Sequence, residues 1–465
     1  MKAEVSMCYG LSLRTQENKN TAIQLIPVNK KALKHFLKDC PEYQAWIDHH
    51  QFAHKCHSVL TLPATTGVIS QVLVGIEGFD PYFALASAAE RLSPHTYELD
   101  DRYDLISLEQ AALGWSLACY RFSYFKPIKP TPMLQVDAAI LAVVQPLASS
   151  IGMVRDWVNM PAEDMNPEAL AMTVDEIGLR FKAVTTTVIG EDLLAHHFPM
   201  IHAVGRAGHT EPRLIQLVWG NPAHPRLALV GKGVCFDTGG LDLKDAAGML
   251  RMKKDMGGAA HALALSYLIM AYQLPVHLSL YIPAVENNVA SNAYRPGDVY
   301  VTRKGLTVEI GNTDAEGRLV LSDALTLACE QEPDLLIDFA TLTGAARVAL
   351  GPEIPALFSN QPAIAQEILT ISQEIQDLVW PMPLYRPYAS GLESKIADLN
   401  NVASHGLAGA IIGALFLEKF VDPGIDWCHL DLNAWNTRAL PGRPEGGEAQ
   451  GLRAVFAYLV KRYVK

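Results

Sequence analysis

Short, almost wholly apolar runs recur along the chain between longer helical patterns. Leu214–Trp219, Leu227–Val230, His277–Ile282 and Leu335–Phe339 read as strands, because a strand covered on both faces shows little polar alternation. Thr307–Ile310 reads as a further short strand. Leu319–Cys329 and the stretch opened by Met252–Ala260 and running to about Ala271 read as largely apolar helices. Strands and helices in alternation predict a mostly parallel sheet flanked by helices. Earlier in the chain, Thr21–Val28 and Gln71–Ile76 read as strands, and Lys30–Lys38, Asp80–Leu92 and Leu108–Phe122 as helices. Lys126–Pro132 holds three prolines in seven residues, a composition that favours an extended connection. Asp137 to about Met160 reads as a helix leading onward. The expected architecture is α/β with two domains: a smaller N-terminal α/β domain over residues 1–125, a Pro-rich linker and connecting helix over 126–150, and a larger domain over 151–465.

Composition narrows the field. With 465 residues, 49% of them hydrophobic, the chain can bury a sizeable core. A net charge of −11 argues against nucleic acid or an anionic membrane as the main partner. No unbroken run reaches the ~18 apolar residues that cross a bilayer. Ala408–Leu417 is apolar but short, a core helix. Met1–Cys8 lacks the apolar core of a signal peptide. Seven scattered cysteines without a CxxC pair point to reduced thiols and a cytoplasmic protein. His50, His54 and His57 would share one face if helical, a zinc-like spacing that is more often a solvated face.

The candidate chemistry lies in three stretches where charges interrupt apolar, Gly-rich sequence. Asn312-Thr-Asp-Ala-Glu-Gly-Arg-Leu319 sets Asp314, Glu316 and Arg318 two residues apart. If extended, that segment aims all three to one side. Gly231–Gly240 carries Lys232 and Asp237, with Lys244 just beyond. Met252–Ala260 carries Asp255. Charges are rarely buried unless paired or bound to metal. Asp237, Asp255, Asp314 and Glu316 together offer four negative charges, which two divalent cations would neutralise. An ion-pair network among these groups and Lys232 is the plainer alternative.

These three motifs, in this order, resemble the leucyl aminopeptidase family, the cytosol-type dinuclear metallopeptidases. The resemblance is good from about Val154 to the C-terminus. It extends through Arg155–Asn159, Ala340–Gly344 and Asp398–Leu417, and more weakly to Ala111–Trp115. It makes the larger domain the catalytic one. It implies that Asp237 and Glu316 bridge two metals, that Asp314 completes one site, and that Lys232 and Asp255 complete the other. Zn or Mn is expected, with Mg or Co as further options. A lysine can ligate only as the neutral amine, so the metal must displace its proton. By resemblance a metal-held water attacks the peptide carbonyl, Lys244 stabilises the gem-diolate, and Arg318 holds a bicarbonate ion as base, for which an Arg fork is well shaped. Simple ion pairs, of Lys244 with Asp242 or Asp245 and of Arg318 with Glu316, are the bland alternatives.

The resemblance further implies that Met252 walls the pocket for the first side chain and that Asn312, Thr341, Leu342 and Gly344 contact substrate; core packing is the alternative for Met252 and Leu342. Peptides beginning with an apolar, leucine-like residue are the expected substrates. The resemblance alone implies a homohexamer. The Asn433–Asn436 stretch and the Arg438–Gly451 loop depart from the commonest family pattern and leave the far wall of the pocket open. A two-metal phosphoesterase, or a DNA-associated scaffold without activity, are the competing readings.

Overall fold

The computed structural model describes residues 12–15, 22–63, 69–78, 83–127 and 129–464. Of the expected features, Met1–Cys8, Thr21, Asp80–Tyr82 and Ile128 lie outside that set. The chain divides into two compact units. The first comprises residues 1–153 and 438–445, the second 154–437 and 446–465.

In the first unit six strands form one sheet, in the order Leu13–Thr15, Met133–Val136, Thr96–Leu99, Ile23–Val28, Ile69–Gly75, Val59–Pro63. All neighbours are parallel except the last pair. Lys126–Pro132, expected as the linker, leads instead into a strand of this sheet. Trp115 Nε1 donates to the Pro132 carbonyl at 3.3 Å. The connection is therefore the helix that follows, Ala138–Asn159. That helix is long and apolar enough to cross a membrane by length and composition, with mean hydropathy 1.5. Counting unbroken apolar runs missed it because Gln145, Ser149 and Ser150 interrupt the run. Half of the apolar stretch is buried.

The histidines at 50, 54 and 57 do not share a helix face, because the helix Gln44–His49 ends before them. Each finds its own partner: the Trp46 carbonyl, the Glu77 carboxylate and the Ser87 hydroxyl.

The second unit is built on a nine-stranded sheet. Its path runs Trp380–Pro381, Ala356–Ser359, Trp427–Asp431, Leu335–Ala340, Arg226–Gly231, His277–Asn287, Arg213–Trp219, Val184–Ile189, and Gly233–Asp237 pairs with the long strand His277–Asn287. Five neighbouring pairs are parallel and three antiparallel, so the sheet is mostly parallel as expected. Its core strands are almost fully apolar: Leu227, Leu229, Val230, Leu335, Leu336 and Phe339 are all buried. The helix Gly257–Ala271 is buried as far as Met270 and Glu316–Cys329 along its whole length, which explains their lack of a polar face. Close approach needs glycine at Gly258, where a Cβ would stand 2.2 Å from the Phe339 carbonyl oxygen.

Three adjacent parallel strands end at one place. Gly231 lies opposite Phe339, and Ala340 opposite Asp431. The residues that follow, Lys232, Thr341–Gly344 and Leu432–Asn433, therefore emerge side by side at the carboxyl edge of the sheet. Open α/β sheets place their ligand sites at that edge.

Candidate active site

The carboxyl edge opens into a cleft of about 820 Å³. Lys232, Asp237, Lys244, Met252, Asp255, Asp314, Glu316, Thr341, Leu342 and Gly344 all line it. Of the residues singled out from sequence, Asn312 and Arg318 stand behind the wall rather than on it. Asn312 shapes the loop: its Oδ1 accepts from the Asp314 N–H at 2.7 Å, and its backbone N–H and carbonyl bond to Asn401.

The loop itself is not extended as far as Arg318. The helix begins at Glu316, so Glu316 and Arg318 sit in its first turn and diverge. A two-residue spacing aims side chains together only in a strand. Gly317 between them carries no Cβ; one there would meet the Lys232 Cε at 2.5 Å. The lysine stem thus runs directly over the helix start. Glu316 gains from the helix N-terminus, where negative charge is favoured.

Asp237, Asp255 and Glu316 converge, each buried, with carboxylate oxygens within 4.8 Å of one another. Lys232 Nζ sits 2.8 Å from Asp255 and 2.8 Å from Glu316, and donates to the Thr341 carbonyl at 3.0 Å. Lys244 Nζ bridges Asp237, at 2.8 Å, and Asp314. Asp237 Oδ1 also accepts from the Gly239 N–H and from Asn287 Nδ2, both at 2.8 Å.

The electrostatics show how strained this gathering is. Burial and the Asp237 charge push Glu316 up to about 8. Burial and Asp255 raise Asp237. Burial opposes the charge on Lys232, yet Asp255, Glu316 and Asp237 outweigh it and raise the ammonium. Burial likewise opposes the charge on Asp255, and Lys232 reverses it, lowering the acid. Asp255 Oδ2 and Glu316 Oε1 have the Lys232 ammonium alone as partner, and Glu316 Oε2 is buried with none. Three buried carboxylates with spare lone pairs are the donor set that hard and borderline divalent cations take. The residues fit a metal centre on that ground. Asp314 lies outside the triad, turned toward Lys244.

Behind the wall Arg318 is 7% exposed. Its Nη1 donates to the Asn401 carbonyl at 2.6 Å, and its guanidinium lies over the Phe416 ring. Its Nε is buried and unpartnered. Burial lowers it to about 10 against the pull of Glu316.

Sequence reasoning passed over several contributors. Asp431 Oδ1 accepts from the N–H groups of Leu342 and Thr343, both at 3.1 Å, and its Oδ2 accepts from the Thr343 hydroxyl at 2.6 Å. It thereby holds the cleft-lining loop Thr341–Gly344. Next to it, His429 Nδ1 and Asp338 form a fully buried pair at 2.6 Å, and Trp427 Nε1 donates to the same carboxylate at 2.7 Å. Burial opposes a charge on His429, but Asp338 prevails and raises it. Lys254 also lines the cleft, lowered to about 8 by burial. The available signal was a charge inside an apolar strand, as in Leu-Ile-Asp338-Phe and Cys-His429-Leu-Asp431.

Comparison with known proteins agrees with this geometry. The cytosol aminopeptidase family, catalytic domain, matches residues 152–456, and the M17 aminopeptidase N-terminal domain matches residues 23–134. A probable cytosol aminopeptidase of Chlamydia abortus is 39% identical over 356 residues, 73% of this chain and 71% of its own. One from Rhodococcus opacus is 38% identical over 395 residues, 80% of this chain and 78% of its own. Among solved structures, the cytosol aminopeptidase from Coxiella burnetii superposes with a TM-score of 0.93 at 44% identity, covering 97% of this chain and 99% of its own. The bottromycin maturation enzyme BotP, solved in complex with Mn, superposes with a TM-score of 0.86 at 29% identity, covering 96% of this chain and 100% of its own.

Proposed function

The chain belongs to the cytosol aminopeptidase family, metal-dependent exopeptidases, and from that premise we propose how its own residues carry the reaction and what it cleaves. Asp237, Asp255 and Glu316, with Lys232 and Asp314, would hold two divalent metals. Bound there, the pair supplies Lewis-acid polarisation of the carbonyl and a water of lowered pKa. Zn or Mn is the proposed occupant, supported by the carboxylate-rich donor set and by the Mn seen in BotP; Mg and Co share the same donor chemistry.

Lys244 donates to the oxyanion that develops on the scissile carbonyl. Its ammonium is kept charged: burial opposes the charge, and Asp237 with Asp314 outweighs burial. Arg318 would hold bicarbonate, the source of the general base, with N–H groups left spare by its hydrogen bond to the Asn401 carbonyl. Asp431 positions the Thr341–Gly344 backbone, along which the peptide lies, and Asn312 keeps Asp314 in place. Met252 and Leu342 offer an apolar wall to a leucine-like first residue. A cytoplasmic homohexamer is the proposed state, supported by the family and by six described cysteines that are all free thiols.

The observation that carries this reading is the convergence of three buried carboxylates, with Glu316 Oε2 left without a partner. The test is hydrolysis of leucine p-nitroanilide by metal-stripped protein, with Zn or Mn restored, beside Glu316→Gln. Activity should return with metal and fall by about a thousandfold or more in the variant, since a metal centre contributes several kcal/mol to the barrier. Full activity without metal, or in the variant, refutes the reading.

A further inference from the structure

The wall Met252–Asp255 carries one side chain for which the reaction has no use. Lys254 is 7% exposed and lines the cleft, and among the described residues no carboxylate lies within ion-pair distance of its ammonium. The acidic groups around it are committed. Asp255 is held by Lys232 and by the Thr341 hydroxyl. Asp431 accepts from the Leu342 and Thr343 backbone and from the Thr343 hydroxyl. Asp255 and Asp431 attract the ammonium from beyond ion-pair distance, but a buried charge with no close partner is costly, and structures rarely keep one without reason. An anion entering the cleft removes that cost.

Depth says which part of a peptide brings the anion. Arg251 and Arg347 also line the cleft, but both are exposed. A solvated guanidinium at the mouth discriminates little. Lys254 is different: it adjoins Asp255 in the chain, at the end where the triad sits. In an exopeptidase the first residue must come to that end, because its amino group and scissile carbonyl react there. The side chain of that residue is therefore the group that Lys254 meets.

We infer that Lys254 makes the inner end of the cleft a carboxylate subsite, so that peptides beginning with glutamate or aspartate are substrates alongside those beginning with an apolar residue. The inference rests on the aminopeptidase reading and names a substrate class for the same cleft. A glutamate matches the wall in two parts, its methylenes against Met252 and its carboxylate on Lys254. Glutamine has the same shape without the charge, and bringing its neutral amide there leaves the ammonium without a close counter-charge.

The experiment compares kcat/KM of the metal-loaded enzyme on the p-nitroanilides of glutamate, aspartate, glutamine and leucine. Glutamate should exceed glutamine by about 10- to 100-fold, the range expected for one charge-assisted hydrogen bond. Lys254→Met should bring that ratio to about one, and Lys254→Arg should retain the preference for glutamate. The wild-type ratio stands even if Lys254→Met does not fold. Equal rates on glutamate and glutamine, with leucine turned over, overturn the subsite and leave the aminopeptidase standing. A preference for dipeptides over their C-terminal amides in place of glutamate over glutamine also overturns it, by moving the anion to the other end. No hydrolysis of any of the four by metal-loaded protein refutes both readings.

Discussion

The two sheets of this protein treat their carboxyl edges in opposite ways. In the N-terminal sheet Asn29, Asp100 and Asp137, which follow strands, each bond two or three residues away. Asn29 follows Val28 and its Oδ1 accepts from the Lys31 and Ala32 N–H groups. Asp100 follows Leu99 and accepts from Arg102 Nε at 2.8 Å. Asp137 follows Val136 and accepts from the Ile140 N–H at 2.8 Å. These are helix caps and turns, closed local systems. In the C-terminal sheet the partners are remote. Lys232 reaches Thr341, 109 residues on, and Asp431 holds Leu342 from 89 residues away. Even so, a carboxylate oxygen, Glu316 Oε2, remains unsatisfied there. The same α/β geometry thus yields a sealed edge in one sheet and an open, charged one in the other. Among the described residues, only the second edge holds a buried carboxylate oxygen without a partner.

The largest effect should separate the two edges by activity. Lys244→Ala removes the oxyanion donor, and kcat should fall by about 10²–10³. Arg102→Ala breaks an ion pair at the sealed edge and should leave kcat within about twofold. Steady-state kinetics on leucine p-nitroanilide read both. A tenfold loss in Arg102→Ala would end the claim that this edge is functionally closed.

A smaller contrast concerns stability. Asp338 is buried beneath His429 and accepts from both His429 and Trp427. Asp338→Asn removes the charge, and urea unfolding of the variant should show a loss of roughly 1.5–3 kcal/mol. Asp100→Asn, at a half-exposed pair, should cost less than ~1 kcal/mol. Equal losses would mean that remoteness and burial of the partner do not set the energetic weight of an edge residue.

The same contrast explains what could be read in the chain. The apolar strands Leu227–Val230 and Leu335–Phe339 were legible because burial on both faces writes itself into consecutive residues. Lys232, Asp237, Asp255 and Glu316 were legible as charges in apolar, Gly-rich surroundings. Asp431 and His429 were not, although they lie in an apolar strand too. Their meaning depends on Asp338 and Thr343, and strand register is a long-range property. Glu316 and Arg318 were placed on one face because the octapeptide contains no strong helix-start signal. Its helix begins after Ala315, which makes no side-chain cap. Lys254 looked like one of two adjacent lysines; in the structure Lys253 donates to the Asn159 carbonyl and lies over the Trp435 ring, while Lys254 is buried.

The last contrast is in how pH acts on the open edge when no metal is bound. Glu316 is raised from 4.5 to about 8 by burial and by Asp237. A raised acid binds its proton more tightly in the folded state than in the unfolded one. Its contribution is fully present below pH 4.5 and is lost as pH climbs toward 8 and beyond. Metal-stripped protein should therefore lose stability between pH 6 and 8, by something on the order of 1–2 kcal/mol from this residue. Glu316→Gln cannot titrate, so its stability should decline less over that interval, and the difference between the two curves isolates the group from the other titrating residues. Adding Zn or Mn to the wild type should flatten the same interval, because a cation replaces the proton as the partner of the carboxylate. Urea midpoints at pH 6, 7 and 8 decide the matter. Parallel declines in wild type and variant would mean that Glu316 is already ionised and satisfied without metal, and the open edge would then be as closed as the other.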